Sequence, residues 1–169
     1  ITAPGINGHT PERDQRLPYD PEMSKKLLAE AGYPDGFELT LDCPNDRYIN
    51  DEAICVAAIG MFAKIGVTVN LDAKTKSQHF SEVKEGDANG MTSDMYMLGW
   101  GVPTFDSHYV YSYLFDSAGS WNKVNFSNAR VDELVAAMGV ETDLEKRNAM
   151  IAEAWDITQD DVTYLPLHH

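Results

Sequence analysis

Met23, Leu27, Leu28 and Ala31 recur at helical spacing behind Asp20-Pro21, and Gly32 follows them. Asp20 is placed to accept the free amide hydrogens of a first turn, and proline at the first helical position loses no hydrogen bond. Glycine then supplies a left-handed stop. After the turn Gly32-Tyr-Pro-Asp-Gly36, the apolar Phe37, Leu39 and Leu41 alternate with Glu38, Thr40 and Asp42, the period of a strand with one wet face. Asn50 or Asp51 opens a second helix, with Ile54, Ala58, Met61, Phe62 and Ile65 on one stripe and Gly66 closing it. Val67, Val69 and Leu71 alternate as a second strand. Ser77 caps a shorter helix bearing Phe80 and Val83 and ended at Gly86, and a third strand runs over about Asp94–Gly99, apolar on both faces.

Strand, helix, strand, helix, strand is the order of an α/β fold with parallel strands joined by crossovers. In such a sheet the loops after the first and third strands share the carboxyl edge, where open α/β sheets hold ligands. Those loops are Cys43–Asn50 and Gly99–Tyr109. The remainder reads as helical. Asn128 caps a helix carrying Val131, Leu134, Val135 and Met138, and Thr142 with Glu145 forms a capping box before Leu144, Ile151, Ala154 and Trp155. Residues 1–18 lack periodicity and read as an extended lead-in, leaving 19–169 as a single lobe. Tyr164–His169 has the look of a strand just beginning, as in a piece of a longer chain.

Composition removes several function classes. Acidic residues outnumber basic ones 27 to 13, giving a formal charge of −14. A phosphate-binding surface needs clustered Lys and Arg, so nucleic acid and anionic membrane are poor partners. No apolar run is long enough to span a bilayer. The five histidines lack the company of a zinc pattern, and no metal or cofactor is expected. Cys43 and Cys55 read as separate small hydrophobic residues, at a strand end and inside a helix, unless an oxidising compartment joins them.

Chemistry concentrates in the two loops. The second places Trp100 between Gly99 and Gly101, with Phe105, Tyr109, Tyr111 and Tyr113 following. Aromatic walls beside accessible backbone suit a peptide-like ligand, with Trp100 and Tyr109 the candidate contacts and Tyr111 and Tyr113 the candidate packing residues. The first loop offers Asn45, Asp46, Arg47 and Tyr48. Arg47 is either a clamp for a ligand carboxylate or a partner of Asp42 or Asp46. Catalytic motifs are missing: there is no G-x-S-x-G elbow and no phosphate-cradling glycine loop. Asp106 and His108 would serve a hydrolase only with a nucleophile or metal converging on them. An aromatic loop docking a protein partner is the third reading.

Tyr19–Leu41, Pro44–Leu71, Met97–Ser107, Asn125–Ile157 and Tyr164–His168 together resemble family 5 extracellular solute-binding proteins, the dipeptide and oligopeptide receptors of ABC importers. The resemblance implies a fragment of the C-terminal lobe of a type II periplasmic-binding-protein-like fold. It also implies a monomeric, non-catalytic receptor outside the cytoplasm that closes on its ligand like a hinged trap and delivers it to a membrane permease. In many such receptors an acidic residue after the Gly-Trp segment pairs with the ligand's α-amino group. Here Pro103 takes the usual position and Asp106 the next. The implied contacts are therefore Trp100, Gly101 and Asp106, with Tyr109, Asn45 and Arg47 beside them. The family's range includes dipeptides, oligopeptides, glutathione, opines, nickel complexes and haem.

Overall fold

The computed structural model describes residues 2–16, 18–85 and 93–169. The Gly86 stop lies outside them. Two compact units divide the chain, one of residues 17–99 and one of 1–16 with 100–169.

The 17–99 unit is the α/β part. Helix α1 (Pro21–Glu30) has its expected start: Asp20 accepts from the Met23 amide at 2.9 Å. Strand β1 (Glu38–Pro44) pairs in parallel with β2 (Thr68–Lys74) along its whole length and with β3 (Met95–Tyr96), giving the order β2-β1-β3. β3 is shorter than the pattern predicts, but flanking bonds from Asp94 N to Thr40 O and from Met97 N to Asp42 O continue the ladder. Helix α2 (Asp51–Phe62) and the tight turn Ala63–Ile65 lead into β2, and α3 (Lys76–Glu85) follows it. Leu41, Cys43, Cys55, Val67 and Val69 form the core, with Leu28, Ile59, Phe62 and Met97 packed around it. Gly36 has φ +77°, and a Cβ there would lie 1.9 Å from the Gly66 carbonyl oxygen, so two glycines let these turns touch.

Several details depart from the sequence pattern. Cys43 and Cys55 are joined in a disulfide, Cα atoms 6.7 Å apart, which staples α2 to the end of β1. Twelve residues of separation let the helix return over its own strand, a proximity that hydrophobic spacing does not report. Asp42 is not on a wet face: it is buried, with His79 Nδ1 at 2.8 Å and Lys74 Nζ at 3.4 Å, because α3 covers that side of the sheet. Lys74 also pairs with Asp72 and Glu82, and this acidic company holds its ammonium above the usual lysine range despite the opposing effect of burial. Thr75, not Ser77, caps α3. On α2 the stripe is displaced: Met61 is 57% exposed, and Cys55 and Ile59 face inward in its place. On α1, Leu28 alone packs on the core, while Met23 and Leu27 stay exposed.

The other unit is helical. The short α4 (His108–Val110) runs into a wider turn over Tyr111–Phe115, in which Tyr111 O accepts from Asp116 N at 2.8 Å. Helix α5 (Ala129–Met138) starts at Asn128, whose side chain accepts from the Arg130 and Val131 amides. Helix α6 (Leu144–Asp161) is capped by Asp143, one residue later than the Thr142 box. Val110, Phe115, Leu134, Met138, Ile151 and Trp155 form the core. Residues 2–16, read from the sequence as an extended lead-in, make their contacts within this unit. Asn7 bridges Asp106 in parallel, Thr2 is buried, and Gly8 sits against Ile151 and Ser107, so the segment is packed into this unit. Tyr164–His169 forms no strand, although Tyr164 packs edge-on to Phe115.

Candidate functional site

The loop after β1 is held from below. Asp51 is buried, and its carboxylate accepts from the Arg47, Tyr48 and Glu52 amides, each at 2.9 Å. Burial opposes its charge, yet these three donors keep its carboxyl below the usual range. The bonds fold the loop back toward the sheet, and Asn50 completes the turn at φ 58°. Asp46 Oδ1 accepts from the Lys76 amide at 2.5 Å, binding the loop to the start of α3. Asn45 lines an open depression of about 630 Å³ with Lys74, Thr75, Gln78 and Glu82.

Arg47 pairs with neither Asp42 nor Asp46. Its guanidinium lies over the Tyr48 ring, 4.8 Å from the centroid, and the side chain is exposed. Tyr48 in turn reaches the end of the third strand, where its hydroxyl accepts from the Gly99 amide at 2.9 Å. Gly99, the last residue of the segment after β3, therefore meets the loop after β1 at one edge of the parallel sheet.

In the other unit the Trp100 indole packs on Tyr109, Tyr113 and Trp121 with centroids 5.9, 6.0 and 5.8 Å away, and Tyr109 and Tyr113 lie 4.6 Å apart. Trp100 Nε1 is buried and has no acceptor among the described residues. Gly101 is exposed, and a Cβ on it would meet nothing within 4 Å. Tyr111 is buried, as its packing role requires, and Tyr113 is 37% exposed.

Asp106 is fully engaged within its own unit. Oδ1 accepts from Arg147 Nη2 at 2.8 Å and the His108 amide at 2.9 Å, and Oδ2 accepts from Arg147 Nε at 3.1 Å and Asn7 Nδ2 at 3.0 Å. Four donors fill the four acceptor positions of a carboxylate. Burial pushes this carboxyl upward, but the Arg147 fork and the two further donors hold it below the usual range. A cation partner for a ligand needs a free lone pair, and Asp106 has none in this arrangement. The dyad needed for hydrolysis is also absent here. His108 directs Nε2 to Val135 O at 3.1 Å, and its only bond to Asp106 is through the backbone.

Asn45 and Arg47 thus belong to one unit, and Trp100, Gly101, Tyr109 and Asp106 to the other. Arg147 and Asn7 are the partners that sequence reasoning missed, as is the bond between Tyr48 and Gly99. Arg147 lies 41 positions from Asp106 and Asn7 lies 99, separations at which spacing carries no signal. Tyr48 was visible as the aromatic beside Arg47, though nothing local linked it to Gly99.

Residues 1–122 match the family described as bacterial extracellular solute-binding proteins, family 5 Middle. The chain belongs to that family. Among family 5 relatives, the heme-binding protein A of Haemophilus influenzae is 34% identical over 161 residues, covering 92% of this chain and 28% of the relative. The glutathione-binding protein GsiB of Salmonella typhimurium is 30% identical over 157 residues, 90% of this chain and 30% of the relative. Among solved structures, the periplasmic binding protein DppA of Helicobacter pylori, in complex with the peptide STSA, superimposes with a TM-score of 0.78 at 24% identity. That match covers 98% of this chain and 31% of DppA, and it bears out the α/β binding-protein fold. The chain therefore spans under a third of the length of these family 5 proteins.

Proposed function

We propose that this chain is part of one lobe of an extracytoplasmic receptor that binds a peptide or peptide-like small molecule and passes it to an ABC permease. Both units belong to that lobe in this reading, and the receptor is a monomer that captures its ligand by closing two lobes around it, without chemistry. The family match over residues 1–122 carries the proposal. The parallel sheet supports it, because at its carboxyl edge the loop after β1 meets Gly99, the last residue of the segment after β3, through Tyr48. The Cys43–Cys55 bridge supports an oxidising compartment.

In the helical unit Trp100, Tyr109 and Gly101 offer a ligand an aromatic wall and open backbone, and in the α/β unit Arg47 and Asn45 offer groups for an anionic or polar one. Asp106 is left out of this set, since Arg147, Asn7 and His108 already fill its acceptor positions. A free α-amino group on the ligand would then need another partner.

Isothermal titration of the full-length receptor against dipeptides, tetrapeptides, reduced glutathione and hemin tests the reading. Saturable binding of one of these is expected, and a folded receptor that binds none of them contradicts it. For a ligand with a carboxylate, Arg47→Ala is expected to weaken binding by roughly tenfold or more, the worth of one charge-assisted hydrogen bond. An unchanged affinity removes Arg47 from the site. The isolated chain is expected to bind the same ligand far more weakly than the whole receptor, because most of the enclosing surface lies outside these residues. Equal affinity of the two counts against capture between lobes.

A further inference from the structure

Among the loop residues, Tyr48 does something that the receptor reading does not by itself require. Its hydroxyl accepts from the Gly99 amide at 2.9 Å and lies 3.4 Å from the Gly99 carbonyl oxygen, so it grasps both polar atoms of one residue. The ring also fills the space a side chain at 99 would take. A Cβ on Gly99 would stand 2.6 Å from Tyr48 Cε1, 3.0 Å from Cζ and 3.2 Å from the hydroxyl oxygen. These are the nearest obstacles to that Cβ, and the backbone of Gly99 is not left-handed. Glycine is needed at 99 because of Tyr48, not because of its own torsion angles.

Tyr48 is itself fixed. Its amide and that of Arg47 are bonded to the buried Asp51 carboxylate, and the Arg47 guanidinium lies over its ring. A chain of contacts thus runs from the start of α2, through the loop after β1, to the last residue of the segment that follows β3. Trp100 and Gly101 come next in the chain, and Gly101 has open space where a side chain would be.

We propose that Tyr48 is a positioning residue that decides whether a ligand at the carboxyl edge of the sheet can use the backbone groups of Gly99. By occupying the Gly99 amide and excluding a side chain there, it withdraws that donor from the ligand and fixes the end of the segment that follows β3. The ligand class is one with main-chain-like amide or carboxylate groups. This rests on the receptor reading above.

The test uses the full-length receptor carrying Tyr48→Phe, Gly99→Ala, Tyr48→Ala and the Tyr48→Ala/Gly99→Ala pair. The probes are reduced glutathione, a tetrapeptide and hemin. Tyr48→Phe is expected to speed hydrogen exchange at the Gly99 amide several-fold, and to weaken the probe that binds by roughly 3–10-fold, mainly through faster dissociation. Its melting temperature should stay close to that of the parent, which separates positioning from plain structural support. Gly99→Ala is expected to weaken binding through its collision with the ring, and in the Tyr48→Ala background the same change should cost little further. Additive effects of the two changes would overturn the proposal. So would a Tyr48→Phe receptor with unchanged Gly99 exchange, or with unchanged affinity for a probe that binds. A folded receptor that binds no probe fails at the receptor reading itself, and the proposal falls with it.

Discussion

Cys55→Ala lowers the stability of the 17–99 unit by about 3 kcal/mol, the chain-entropy value for closing a loop of roughly this length. For a unit of this size the midpoint of thermal unfolding should fall by on the order of 10–20 °C. The bridge spans 12 residues and joins the end of β1 to α2, both in the core that surrounds the sheet. Alanine is the substitution of choice, since Cys55 is almost fully buried and a serine would add an unsatisfied hydroxyl. Cys43 is wholly buried as well, so dithiothreitol should act on the native protein only slowly and rapidly once denaturant opens the unit. Unfolding followed by circular dichroism, with and without reductant, checks both statements. A variant that melts with the parent would mean that the bridge contributes nothing to this fold.

Asp106→Ala has the second large effect, on the helical unit. It strands the Arg147 guanidinium, which is about four-fifths buried, and the Asn7 amide, which loses its acceptor. Breaking one partner of such a pair costs about 2–4 kcal/mol, because the remaining charge is left poorly solvated. Arg147 also donates to the Met138 carbonyl, so the loss is expected to loosen the end of α5 together with the Asp106 loop. Chemical denaturation measures the cost, and titration of the full-length receptor measures its consequence for binding. A variant of parental stability that nonetheless loses affinity tenfold would return Asp106 to the ligand.

Acid carries the same signature. The carboxyls of Asp51 and Asp106 are both held below their ordinary range. Their contribution is complete above the ordinary carboxylate pKa of about 4 and is lost as pH falls through the lower folded values. Stability of each unit should therefore hold from neutrality to about pH 4 and drop beneath it. Asp106→Asn should flatten that drop in the helical unit.

The caps at Asp20 and Asn128 were legible because each depends on residues within one turn, and the parallel pairing was legible from the element order and the crossover-length connections between strands. Burial of Asp42 was not legible, since alternation within β1 cannot report that α3 lies across that face. Met61 and Leu27 went astray for a related reason. Helix α2 is apolar nearly all round, so periodicity cannot choose its inner side, and α1 presses only Leu28 to the core. At the candidate site the two loops could be picked out from position, whereas residue type left Arg47 open between a ligand clamp and a partner of Asp42 or Asp46. The fate of Asp106 could not, because its partners arrive from Asn7 and from α6.

A carboxylate that already serves four donors is a poor place to retune what a receptor accepts. Under the proposed function, exchanging it would unhook α6 before it altered ligand preference, so a change of ligand is better accommodated at Arg47. That side chain is exposed and lies over the Tyr48 ring, while its amide is bonded to Asp51. In that proposal residue 47 is the position open to change without cost to the fold, while 106 and 147 are bound to each other.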